Sequence, residues 1–105
     1  MVEIIWTEPA LQDLDVIADY IALDKPDAAR HLVQNVFQHV EQLSRYPESG
    51  SKTQELKGLP YRQIIEPPCR VIYRHDGKKI FILHVMRGER SINKKKIFSR
   101  EKKLL

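Results

Sequence analysis

Five arginines and one histidine carry the clearest chemical capacity in this chain: Arg62, Arg70, Arg74, Arg87, Arg90 and His84. A guanidinium grips carboxylate or phosphate through two parallel hydrogen bonds and keeps its charge at any ordinary pH. Several together suit an acidic or phosphate-bearing partner. An imidazole beside them adds a group that gives or takes a proton near neutrality. Side chains alternate across a strand, so Arg70, Ile72 and Arg74 share one face and Val71 and Tyr73 the other. Arg62 joins the first set if its strand pairs in matching register. Arg87 and Arg90 follow the last strand and are within reach of the same rim. The expectation is a cluster of guanidiniums on an exposed sheet face; the plainer alternative is arginines that are merely solvated or paired across strands. For His84 the plainer reading is a half-buried ring on the face of Ile80 and Ile82.

Other reactive residue types offer less. Cys69 is the one cysteine, with no His and Asn/Asp constellation spaced to make it a nucleophile, so it reads as structural. It cannot form an internal disulfide, which suits a cytoplasmic protein of bacterial type. The four histidines are scattered; His31 and His39 are two turns apart on one predicted helix, and no Cys/His pair has zinc spacing. No metal or cofactor is expected. Trp6, Tyr61 and Tyr73 read as core residues rather than stacking platforms. Lys94-Lys95-Lys96 and Lys102-Lys103 read as a solvated basic tail over 93–105, loose or forming a short helix.

The elements that must position these residues follow from periodicity. Val2 to Trp6 is a short β-prone run. Thr7 is placed to cap a helix whose first turn holds Pro9, and Leu11, Leu14, Ile17, Ala18 and Ile21 give it an apolar stripe. Asp24 is the expected cap of a second helix, with Pro26 in its first turn and Ala29, Leu32, Val33, Val36, Phe37, Val40 and Leu43 as its stripe. A connection this short makes the two helices an antiparallel hairpin. Strands are expected at Tyr61–Glu66, Cys69–His75 and Lys79–Val85. Pro67-Pro68 breaks the first from the second, and Asp76-Gly77 is a two-residue type I′ hairpin signal between the second and third. The order β-α-α-β-β-β predicts an α+β domain over 1–92. Its hairpin packs on one face of a small, mainly antiparallel sheet, leaving the other face free for function.

Charge is segregated along the chain. Residues 1–55 hold four basic and ten acidic side chains, residues 56–105 fourteen and four, although the net charge is only +4. A basic half this concentrated points to a polyanion or an acidic partner. No stretch approaches the roughly 18 apolar residues of a membrane span, and the first residues, Met1 to Trp6, do not read as a secretory signal.

The stretch Trp6-Thr7-Glu8-Pro9-Ala10-Leu11-Gln12-Asp13-Leu14, continued by Ile17-Ala18-Asp19-Tyr20-Ile21, resembles the first helix of RelE/ParE-superfamily toxins. Tyr61-Arg62, Cys69-Arg70-Val71-Ile72-Tyr73-Arg74 and Ile82-Leu83-His84-Val85-Met86-Arg87-Gly88-Glu89-Arg90 resemble the sheet of the same family. The resemblance implies the toxin of a type II toxin–antitoxin pair, with a cognate antitoxin as partner and operator DNA bound only through that antitoxin. It implies one of two targets: DNA gyrase for ParE-like members, or mRNA on the ribosome for RelE-like members, which are metal-independent endonucleases. A DNA-cutting variant and a non-toxic nucleic-acid-binding module are the remaining readings. For cleavage, Arg62 and Arg70 would stabilise the phosphate and His84 would act as acid or base. For target binding, Arg70, Arg74, Arg87 and Arg90 would make the contacts. The second basic position of RelE-like enzymes falls on Ile64, and their C-terminal tyrosine falls near Lys94. The resemblance therefore favours the ParE type.

Overall fold

Thr7 opens the first helix as its sequence suggests, accepting the Ala10 N–H at 3.3 Å. Its hydroxyl also donates to the Ile82 carbonyl at 2.7 Å, which ties the helix start to the sheet. In this computed structural model, which describes residues 1–104, the elements run β1 (Glu3–Trp6), α1 (Glu8–Ala22), α2 (Pro26–Glu41), β2 (Arg62–Glu66), β3 (Cys69–His75), β4 (Lys79–Arg87) and α3 (Lys94–Lys102). Single 3-10 turns lie at Gln42–Ser44 and Gln54–Leu56. Two local expectations are corrected. Lys25, not Asp24, stands at the N-cap of α2 and makes no side-chain cap bond, because the helix begins at Pro26. The β3–β4 link holds three residues rather than two, and only Gly77 has positive φ, at +95°. The Asp76 carboxylate accepts the N–H groups of Lys78 and Lys79 at 2.9 and 2.8 Å, which closes the turn without a left-handed Asp76.

The sheet order is β1-β4-β3-β2, with β1 parallel to β4 and the other pairs antiparallel. A parallel pair needs a long crossover, and the helical hairpin supplies it. Leu14, Leu32, Val36 and Val40 of the hairpin pack on Val71, Tyr73, Ile80 and Ile82 in the main core. On α1 the buried edge of the stripe is Ala10 rather than Leu11, which is 37% exposed.

The other sheet face is not free. Leu56, Tyr61, Ile72, Leu83 and Ile97 form a second buried cluster there, with Leu59, Phe81 and Ile92 packed around it. The reason is that β4 is apolar on both faces, with Ile72 of β3 beside it, so water must be excluded from both. The Gln54–Leu56 turn, the loop to Tyr61 and α3 do this. A register shift sharpens the arrangement: Ile72 pairs with His84 and Tyr73 with Ile82, leaving Leu83 as the extra residue of a β-bulge. Leu83 thereby enters the second cluster.

Candidate functional site

The structure disperses the guanidiniums expected to stand together. Arg70 and Arg74 do share the face of Ile72, opposite the hairpin. Arg62 does not join them: it pairs with Tyr73, and Ile64 with Val71, which puts Arg62 on the hairpin side of the sheet. Arg87 is opposite Cys69 and so also lies on that side. Arg90 is exposed in the loop before α3. His84 is turned off the face of Ile80 and Ile82 by the bulge at Leu83.

Arg70 is the most committed of them. Its side chain is 8% exposed. Nε donates to Gln63 Oε1 at 2.8 Å, Nη2 to Glu55 Oε1 at 2.8 Å and Nη1 to the Arg90 carbonyl at 3.1 Å. Glu55 Oε2 in turn accepts the Ile92 N–H at 3.0 Å. That backbone bond and the Arg70 guanidinium together hold the Glu55 carboxyl below its ordinary pKa. Arg70 thus joins β3, β2, the Gln54–Leu56 turn and the loop after β4. Arg74 donates to Glu101 of α3 at 2.8 Å, beside the Tyr61 hydroxyl, which donates to the same carboxylate at 3.0 Å. Burial first, then Glu101, pushes the Tyr61 phenol up to about 12. Arg62 donates to the Gly50 carbonyl at 3.0 Å, and Arg87 to Glu89 at 2.9 Å.

A second cluster includes His84 and two residues the sequence did not single out. His84 Nδ1 lies 2.9 Å from Asp13 Oδ2 and 2.8 Å from Arg100 Nη1. A protonated Nδ1 donates to Asp13; an unprotonated one accepts from Arg100, so either ring state has a partner. Asp13 also accepts from Nη1 and Nη2 of Arg100 and from the Val85 N–H, while Arg100 Nη1 donates to the Leu83 carbonyl at 3.0 Å. β1 ends at Trp6, opposite Ile82, so this pair satisfies the edge of β4 where no strand remains. Burial would raise the Asp13 pKa, yet His84, Arg100 and the Val85 N–H outweigh it and hold the carboxyl well below the usual range. The one available signal was Asp13 on the polar side of α1, and nothing local links it to Arg100.

Burial raises the pKa of Cys69, which keeps it an unreactive thiol. Among the described residues no three His, Cys, Asp or Glu side chains gather to hold a metal ion, and no helix is long and apolar enough to cross a membrane. An open hollow of about 770 Å³ is lined by Met1, Phe37 and Tyr46 among others, and by none of the six expected site residues. As arranged, Arg62, Arg70, Arg74, Arg87 and His84 bind groups of their own chain, and Arg90 and the lysines of α3 are among the exposed cations.

An acidic hairpin crossing from β1 to β4 over an antiparallel β4-β3-β2 sheet is a frame that known proteins share. Residues 4–92 match the model of the ParE toxin of the type II toxin–antitoxin system parDE. The chain belongs to this family, and is thus a toxin of the ParE/RelE superfamily. Toxin RelE2 of Caulobacter vibrioides is 33% identical over 89 residues, covering 83% of this chain and 92% of that protein. The putative toxin Y4kP of Sinorhizobium fredii is 36% identical over 81 residues, covering 77% and 82%. Among solved structures, the chromosomal ParDE system from P. aeruginosa matches with TM-score 0.71 at 30% identity, over 85% of this chain and 98% of that one. The RelBE2 complex of Mycobacterium tuberculosis shares the fold at TM-score 0.54 and 21% identity, over 82% and 96%. Helix α3 begins beyond the stretch that the family model matches.

Proposed function

We propose that this toxin works in the ParE manner, arresting growth by binding DNA gyrase or its DNA complex in the cytoplasm, and that a cognate antitoxin silences it. The observation that carries this reading is the state of Arg70: all three of its guanidinium nitrogens are engaged by the protein's own groups. Metal-independent RNA cleavage needs cations converging on one phosphate, with an acid and a base on either side. Here Arg62 and Arg70 lie on opposite faces of the sheet, and His84 Nδ1 is taken up by Asp13 and Arg100. Binding makes no such demand. The antitoxin partner is supported by the solved relatives, which are toxin–antitoxin systems.

The test is a supercoiling assay with purified gyrase and relaxed plasmid. The toxin is expected to inhibit supercoiling, and antitoxin added in equal amount is expected to restore it. Full supercoiling at saturating toxin removes this reading. A second reading, RelE-type cleavage, has one observation in its favour: Asp13 orients His84 as a carboxylate orients a catalytic imidazole. It predicts that His84→Ala abolishes transcript cutting in a translating extract.

A further inference from the structure

Helix α3 sorts its charged side chains by direction. Arg100 and Glu101 turn inward, the first onto Asp13 and the second onto Arg74 and Tyr61. Ile97 is buried, and the Phe98 ring leans on Tyr61 with centroids 5.9 Å apart. Lys95, Ser99 and Lys102 stand outward, Lys96 and Lys103 flank them, and Lys94 sits at the helix start on the side of Glu55; all are exposed. Among the described residues none of these five lysines enters an ion pair. The fold gains little from them, Lys94 adding only weakly to the positive charge that holds the Glu55 carboxyl down, and it loses a little. The first turn of α3 has no acidic residue, and three cations there oppose the helix dipole. Lys95 and Lys102 are two turns apart, about 10 Å along the axis, with the small Ser99 between them. Arg90 enters the same end of the helix, its backbone fixed by the Arg70 bond to its carbonyl.

We propose that the outward face of α3, with Arg90 at its entry, is a contact surface for the phosphate backbone of double-stranded DNA. Lysines are point charges that neutralise phosphates without reading bases, and a duplex carries one charge per roughly 1.7 Å of axis, enough for all five. An anionic membrane would need a continuous apolar strip beside the lysines; here Ile97 is buried, and only Phe98, leaning on Tyr61, and Leu104 are partly open to solvent among the described residues. A single strand would need aromatic faces free to stack on, and the aromatic of this helix, Phe98, is 43% exposed with its ring leaning on Tyr61. Apart from Arg90, the surface lies outside residues 4–92, so its lysines add to the part of the chain that the family model covers. It does not depend on gyrase being the target.

The test is fluorescence anisotropy of the full chain with a mixed-sequence duplex of about 20 base pairs, titrated between about 50 and 200 mM salt. Wild type is expected to bind with a steep salt dependence. The triple variant K94A/K95A/K96A should bind about tenfold or more weakly at low salt, with a log–log slope flatter by about 0.9 for each lysine removed. K102A/K103A should show the same effect in smaller degree, and the controls K25A and K78A none. Circular dichroism of each variant checks that it folds. The proposal is overturned if wild type does not bind the duplex at the lowest salt, or if the triple variant binds like wild type. Tighter binding to a single strand of equal length or to anionic vesicles also overturns it. Supercoiling inhibition by the same variants reports on the gyrase reading separately.

Discussion

The two faces of the sheet are closed in different ways. On the hairpin side, α1 and α2 lay a continuous apolar stripe on β3 and β4, and the core there is large and almost free of charge. On the other side the cluster is smaller, with five buried members among the described residues, and the cover is fastened by charged clasps: Arg70 with Glu55, Arg74 with Glu101, and Arg100 with Asp13. Hydrophobic burial is non-directional and strong per area. A charged clasp is directional and costs much when one half is removed. The comparison teaches that the arginines of this basic half divide by role. Those under α3 hold the cover down, and the lysines on top of α3 are left for a partner.

The largest effect should come from the apolar face. Leu14→Ala removes a side chain that is 1% exposed, and should cost about 2–5 kcal/mol in chemical denaturation. A loss below about 1 kcal/mol would mean the hairpin face is loosely packed. Next comes the clasp at the β4 edge. Asp13→Ala leaves Arg100 and the Val85 N–H without their acceptor, and after discounting for partial exposure should cost about 2–3 kcal/mol. Asp13→Asn should lose a particular pH dependence. The folded pKa of Asp13 lies below its ordinary value of 3.8. Its contribution is therefore complete above about pH 4 and drains as pH falls further. Wild type should begin to lose this stability as pH falls below about 4 and go on losing it below about 3, and the Asn variant should lose less.

Gly50→Ala should have a smaller effect, about 1–3 kcal/mol. A Cβ at Gly50 would sit 2.5 Å from the Tyr73 hydroxyl and 2.7 Å from the Gln63 carbonyl. The change would also disturb the bonds from Gly50 N–H to Tyr73 and from Tyr73 to the Pro47 carbonyl. The smallest effect belongs to the outward lysines: K94A/K95A/K96A should change stability by no more than about 0.5 kcal/mol. A large loss there would erase the distinction between fastening and exposed cations.

The hairpin side was readable from sequence because its signals are local. Stripes at three- and four-residue spacing, Thr7 as a cap and Cys69–His75 as a strand depend on neighbours in the chain. The second face was not readable for the opposite reason. Ile72, between Arg70 and Arg74, looked like an apolar residue on a solvated face, because the residues that cover it, Leu56 and Ile97, are far away in sequence. The register that sends Arg62 to the hairpin side is set by cross-strand pairing, which one strand cannot reveal. The bulge at Leu83 breaks the alternation on which the placement of His84 rested. Ile97-Phe98 within the lysine-rich tail was the available hint that α3 had something to cover.

The most direct test of the account follows two readouts in the same culture after induction of the chain without its antitoxin: plasmid linking number and the 5′ ends of cellular transcripts. If the arginines fasten the fold and the toxin acts by binding gyrase, plasmids should lose negative supercoiling while messages stay intact, and His84→Ala should change neither. Transcripts cut within codons while supercoiling is retained, with cutting lost in His84→Ala, would contradict it.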